Sequence, residues 1–159
     1  MKYCPNCRAI LVLRNLDDRE RLHCEESCGF VHWGNPTPVV AAIVEYEEKI
    51  LLARNAQWPE GWFALITGFL EAAETPQQAV IREVKEELNL DAEIESFVGN
   101  YAFKQANQLL LVYHVRARGE VVLNEELVEY KLQKKEELVP WDMGTGPALK
   151  DWIAGRVNY

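Results

Sequence analysis

Residues 75–89 constrain this chain more than any other segment. Thr75-Pro76-Gln77-Gln78 has the form of a helix start. A threonine cap comes first, then a proline at the first helical position, then a glutamine at the third to close a capping box. Val80, Val84 and Leu88 follow at helical spacing and form a stripe for burial. Glu83, Glu86 and Glu87 stand at i, i+3 and i+4, which puts them on one adjoining face. Like charges at this spacing cost about 0.2–0.5 kcal/mol per pair. A divalent cation would reverse the sign of that cost. Hard oxygen ligands on a rigid helix suit Mg²⁺ or Mn²⁺. Periodicity alone favours a plain solvated acidic face over a metal site. Asn89 tolerates positive φ and is the expected stop.

The cysteines impose a second constraint. All four fall in the first 28 residues, as Cys4-Pro-Asn-Cys7 and Cys24-Glu-Glu-Ser-Cys28. The 16 residues between the pairs leave room for a short hairpin. Two close thiolate pairs suit a closed tetrahedral Zn²⁺ site. About 30 residues cannot bury enough surface to fold alone, so a metal would supply the missing stability. Two disulfides or four free thiols are the alternatives. Arg8 stands where such knuckles often carry Gly, and His23 and His32 lie close enough to compete as ligands. Gly34-Asn35-Pro36-Thr37-Pro38 then interrupts any regular element. The expected division is 1–33 for the zinc ribbon and 34–159 for the main domain.

Beyond that boundary, Val39–Val44 and Ile50–Ala53 read as a hairpin turning at Glu47-Glu48. Further strands are expected at Trp62–Ile66, Ala92–Val98, Leu109–Ala117 and Val128–Gln133. In the last of these, Val128, Tyr130 and Leu132 should face inward. A final helix is expected from Pro147 to Ala154, stopped by Gly155. This is an α/β order, a mixed sheet between helices. The chain has 17 basic and 25 acidic residues, a net charge of −8. Residues 1–33 balance five of each sign, so the remainder carries the whole excess. That balance argues against non-specific nucleic-acid binding. No apolar run reaches the ~20 residues of a membrane helix, and the first residues lack the apolar stretch of a signal peptide. A cytoplasmic protein is the expectation.

Residues 68–90 read Gly68-Phe-Leu-Glu-Ala-Ala-Glu74-Thr-Pro-Gln-Gln-Ala-Val-Ile-Arg82-Glu83-Val84-Lys-Glu86-Glu87-Leu-Asn89-Leu90. This resembles the Nudix box, G-x5-E-x7-R-E-U-x-E-E-x-G-U, with U aliphatic. Eight of nine fixed positions match, and Asn89 replaces the last Gly. The resemblance implies an α/β/α sandwich around a mixed sheet. It also implies hydrolysis of a nucleoside diphosphate linked to another group. Metals neutralise the phosphates and lower the pKa of a bound water in such chemistry. The implied Mg²⁺ or Mn²⁺ ligands are Glu83, Glu86, Glu87 and the Gly68 carbonyl. Arg82 would orient the glutamates, and Glu74 would brace the loop or ligate through water.

The Cys4 ribbon, Asn35-Pro36-x-Pro38 and the box together resemble the zinc-ribbon Nudix enzymes, which include NADH, ADP-ribose and FAD pyrophosphatases. Asn100-Tyr101-Ala-Phe103-Lys-Gln105 keeps only an aromatic and a polar end of the motif that follows the box in NADH pyrophosphatases. Glu126-Leu-Val-Glu129 resembles a segment whose second Glu is a metal ligand, which makes Glu129 a candidate. Glu125, Glu126, Glu136 and Glu137 are candidate bases by position. Trp58, Tyr101 and Phe103 could stack on a nucleobase, or pack in core and loop. Relatives often carry Gly where this chain has Ala73. The expected partners are a small nucleotide substrate and, by resemblance, a second copy in a homodimer. Removal of an NAD cap from RNA and a non-catalytic ligand-sensing or adaptor role are the competing readings.

Overall fold

A computed structural model describes residues 1–26 and 28–156. Their contacts divide into two units, Met1–Pro36 and Thr37–Tyr159.

The first unit is built on a three-stranded antiparallel sheet of β1 (Leu11–Leu16), β2 (Arg19–Cys24) and β3 (Val31–His32). Asp17 and Asp18 both take positive φ, the pattern that turns a two-residue hairpin in step with strand twist. The small core is Cys4, Leu11 and Cys24, with Ala9, Leu22 and Phe30 against it.

The second unit holds a mixed sheet of β4 (Thr37–Tyr46), β5 (Lys49–Asn55), β6 (Ile66–Phe69), β7 (Asp91–Phe103), β8 (Gln108–Arg118) and β9 (Leu127–Gln133). The order is β7-β8-β4-β5-β9, with β6 also pairing β4. β4 and β8 run parallel, and the other pairs are antiparallel. The expected Glu47-Glu48 turn forms with both residues at positive φ. β4 is buried on both sides, so its run of apolar residues is continuous rather than alternating. Val40, Ala42 and Val44 face one core with α1 (Pro76–Leu88). Val39, Ala41 and Ile43 face a second core with α2 (Gly146–Ile153). One helix thus covers each face of the sheet.

α1 starts as its sequence predicts. Thr75 is the N-cap, Pro76 opens the helix, and Thr75 and Gln78 close the capping box. Asn89 ends it at φ 60°, in the left-handed region. Ala79, Val80, Val84 and Leu88 are buried on the sheet.

Two expectations are corrected. Trp62–Ile66 is not a continuous strand: only Ala64 bridges to Ala53, and β6 begins at Ile66. Gly61 at φ 82° breaks the extended backbone just before it. β9 does not show the clean alternation either. Val128 and Tyr130 are half exposed, whereas Leu127 is buried. β9 is an edge strand, and its register shifts opposite Arg54 and Asn55, so a strict period of two fails there.

Among the described residues no helix is long and apolar enough to cross a membrane. Ala73 sits at φ 65° in the turn closed by the Glu74 N–H donating to the Glu71 carbonyl. An alanine has no polar side chain to offset that conformation. Ala73→Gly is expected to raise the stability of the second unit by about 0.5–1 kcal/mol in urea denaturation. An unchanged or lowered midpoint would contradict the strain assigned to this turn.

Candidate active site

α1 presents its carboxylates beside β6. At Gly68 of β6, an added Cβ would overlap the Glu83 carboxylate. Only glycine lets the Glu83 side chain lie against this backbone, which brings the Gly68 main chain and Glu83 together. Arg82 binds the cluster from one side. Its Nε and Nη2 donate to both oxygens of Glu74, at 2.9 and 3.0 Å. Its Nη1 donates to Glu83 at 2.8 Å and to Glu86 at 3.0 Å. Nη2 also donates to the Phe69 carbonyl at 2.9 Å. One guanidinium therefore joins the loop, the strand and the helix. Glu74 also accepts the Glu71 N–H, and these bonds hold its carboxyl below the usual range. Glu74 is positioned as a brace.

The remaining charge is under-compensated. Glu87 is 8% exposed. Burial pushes its carboxyl up to about 8, and the charges of Glu83, Glu126 and Glu86 act in the same direction. Burial also raises Glu83, against the hydrogen bond and charge of Arg82. Arg82 reaches only Glu74, Glu83 and Glu86, so Glu87 and Glu126 add negative charge without a cation of their own, a donor set with the chemistry of a hard divalent-cation site.

Glu126 joins this group through a local turn. The Asn124 N–H donates to the Glu87 carbonyl at 3.2 Å. The Asn124 side-chain oxygen accepts the N–H of Glu126 at 3.0 Å and of Leu127 at 3.3 Å. The chain thereby turns at the C-terminal end of α1, and Glu126 lines a cleft with Glu87, Trp58, Asn55 and Thr67. By sequence position alone Glu126 is one of several candidate bases. The Asn124 turn, with buried Leu127 fixing the next residue inward, is the signal that distinguishes it.

The other candidates lie elsewhere. Glu129 pairs with Arg54 at 3.1 Å and is half exposed. It shares a strand face with Lys131, whose ammonium lies over Phe63 of the second core. Tyr101 and Phe103 pack in that same core, on the α2 side of the sheet. The Tyr101 hydroxyl donates to Asp151 of α2 at 3.1 Å. Of the three aromatics, only Trp58 lines the cleft with Glu87.

In the first unit the four cysteine sulfurs lie within 4.8 Å of one another. The Cys4–Cys28, Cys7–Cys24 and Cys7–Cys28 sulfurs are 3.5, 3.4 and 3.6 Å apart. A disulfide needs about 2.05 Å, whereas thiolates around one tetrahedral zinc sit about 3.8 Å apart. The Arg8 N–H donates to the Cys4 carbonyl, with Arg8 at φ 66°. His23 Nδ1 is hydrogen-bonded to the Cys24 carbonyl, and neither it nor His32 belongs to the cluster.

The sequence pattern of the NUDIX domain matches residues 10–152. The chain belongs to the NUDIX domain family. A NUDIX hydrolase from Nitrosomonas europaea superposes with a TM-score of 0.80 at 29% identity, covering 98% of this Nudix chain and 92% of that one. An ADP-ribose pyrophosphatase from Streptococcus suis shares the fold at a TM-score of 0.63 and 24% identity, over 79% of this chain and 96% of that one. The NAD-capped RNA hydrolase NudC of Pseudomonas aeruginosa is 28% identical over 129 residues, 80% of this chain and 45% of that protein. The NudC of Vibrio atlanticus is 29% identical over 113 residues, 71% of this chain and 41% of that protein. The Nudix chain thus spans less than half the length of these curated relatives.

The Glu87 environment has a pH signature in the metal-free protein. Its folded pKa is raised from 4.5 to about 8, so the fold holds this proton more tightly than the unfolded chain does. The associated stability is full below about pH 4.5 and is lost as pH rises through about 8. With a chelator present, wild type should lose about 1–4 kcal/mol relative to Glu87→Gln between pH 5 and pH 9. Saturating Mg²⁺ should remove most of that loss. A difference independent of pH would contradict the assignment.

Proposed function

We propose that this chain hydrolyses the pyrophosphate bond of a nucleoside diphosphate derivative of the ADP-ribose, NADH or FAD class, releasing a nucleoside monophosphate. The observation that carries the reading is the grouping of Glu83, Glu86, Glu87 and Glu126 with Gly68 beside Arg82 in a Nudix chain. The excess of buried carboxylate over cationic partners fits a divalent ion. Glu83, Glu86, Glu87 and the Gly68 carbonyl would hold it. A bound Mg²⁺ or Mn²⁺ supplies neutralisation of the pyrophosphate charge and an acidified water.

The protein's own residues have separable roles in this reading. Arg82 fixes Glu83 and Glu86, and Glu74 fixes Arg82. Glu126 stands at the cleft with Glu87, placed to take a proton at its carboxylate oxygen. Trp58 offers an aromatic face at the same cleft. Glu129 as an added ligand, and Tyr101 and Phe103 as base contacts, have weaker support, since each is engaged on the α2 side of the sheet. The cysteine geometry supports one structural Zn²⁺ held by Cys4, Cys7, Cys24 and Cys28, with residues 1–33 as the ribbon and 34–159 as the hydrolase domain. The reading also carries a cytoplasmic homodimer, with twice the 18.3 kDa chain mass in light scattering.

Removal of an NAD cap from RNA is the second reading. The names of the NudC relatives favour it. A purely ligand-sensing role is disfavoured by the complete carboxylate set.

Hydrolysis of ADP-ribose, NADH, FAD and an NAD-capped RNA, each with Mg²⁺ and with Mn²⁺, tests the proposal. Release of AMP from one of the first three, reduced at least 100-fold in Glu86→Gln, is expected. Equal turnover by Glu86→Gln would overturn it. Cleavage of the capped RNA alone would replace it with the second reading. The purified chain should carry one zinc.

A further inference from the structure

The cross-strand register of the first unit sorts its charges by face. Val12 pairs His23, Arg14 pairs Arg21, and Leu16 pairs Arg19. Paired residues share a face, and alternate residues along a strand return to it. Arg14, Arg19, Arg21 and His23 therefore lie on one face of the hairpin. Trp33 completes it, with the Arg21 guanidinium 4.8 Å from its ring centroid and donating to its carbonyl. Glu20 pairs Asn15 on the opposite face, and Asp17 and Asp18 occupy the turn. Between Val12 and Leu16 and between Arg19 and His23 the face carries no carboxylate; Glu25, whose N–H donates to the Ile10 carbonyl, follows at the end away from the turn.

Two arginines directly opposite each other repel. Among the described residues, none of these three arginines forms an ion pair with a carboxylate. Arg14 and Arg19 are exposed, and Trp33 is 52% exposed. A chain of net charge −8 thus concentrates uncompensated positive charge on one small surface, beside an accessible indole. Net charge alone argues against nucleic acid, but the distribution of charge over the surface decides local binding.

We infer that this arginine–tryptophan face of the first unit binds single-stranded nucleic acid. Backbone phosphates lie on Arg14, Arg19 and Arg21, and an unpaired base stacks on Trp33. An acidic protein segment would satisfy the arginines but would leave the exposed part of the indole, beyond its contact with Arg21, without a partner. Base stacking uses it directly. The surface belongs to the first unit and the carboxylate cluster to the second, and the inference does not depend on the hydrolytic reading.

The test is fluorescence anisotropy with a labelled 12-nucleotide single-stranded RNA and the full zinc-loaded chain. Wild type and Glu86→Gln are both used, so that loss of hydrolysis leaves the binding readout intact. Affinity should fall roughly tenfold or more between 50 and 200 mM salt for about three phosphate contacts. Arg14→Ser with Arg19→Ser should weaken binding at least tenfold at low salt and flatten the salt slope by about 1.4. Trp33→Leu should weaken it about fivefold or more with the slope unchanged. Zinc content and cleavage of any small substrate serve as fold controls in both variants. Absence of binding at low salt, unchanged affinity in the arginine variant, or equal binding of poly-glutamate would each overturn the inference.

Discussion

The guanidinium of Arg82 is the interaction on which the site depends. It is one cation among acceptors from three elements: the Glu74 carboxylate in the loop, the Glu83 and Glu86 carboxylates on α1, and the Phe69 carbonyl of β6. Without it, the glutamate face of α1 would be a row of like charges free to spread into solvent. With it, Glu83 is drawn against Gly68 and Glu74 is held ionised in the turn before the helix. A planar fork of five donors serves several acceptors at once, which a lysine cannot do.

The clamp leaves Glu87 outside its reach. Glu87 is the most buried member of the group and faces Glu126 rather than a cation. The resulting surplus of negative charge is a cost to the folded chain and a benefit to any divalent ion that enters. The fold tolerates that cost because α1 is secured independently. Its capping box, its buried stripe of Val80, Val84 and Leu88, and its left-handed stop at Asn89 do not involve the carboxylates.

Much of this was legible in the sequence. The helix, its cap and its stop follow from local chemistry, and the box glutamates share a face by periodicity alone. Three positions where relatives favour glycine carry Arg8, Ala73 and Asn89 here, and all three take positive φ, at 66°, 65° and 60°. The expectation of glycine was therefore a statement about backbone conformation, and the substitutions left that conformation intact. The sequence misled where tertiary context decides. Edge strand β9 has no neighbour on one side and shifts register, so alternation could not tell which of Glu126 and Glu129 meets α1. Tyr101 and Phe103 lie in β7 beyond two register shifts, and only the pairing with β8 assigns them to the α2 core.

The central claim is that the Arg82-ordered carboxylates form one divalent-cation site. Mn²⁺ binding followed by electron paramagnetic resonance at neutral pH tests it without reference to substrate. Saturable binding to wild type is predicted, weakened at least tenfold in Gly68→Ala, where the new methyl displaces Glu83, and in Arg82→Lys. Equal Mn²⁺ affinity in all three proteins would contradict the account.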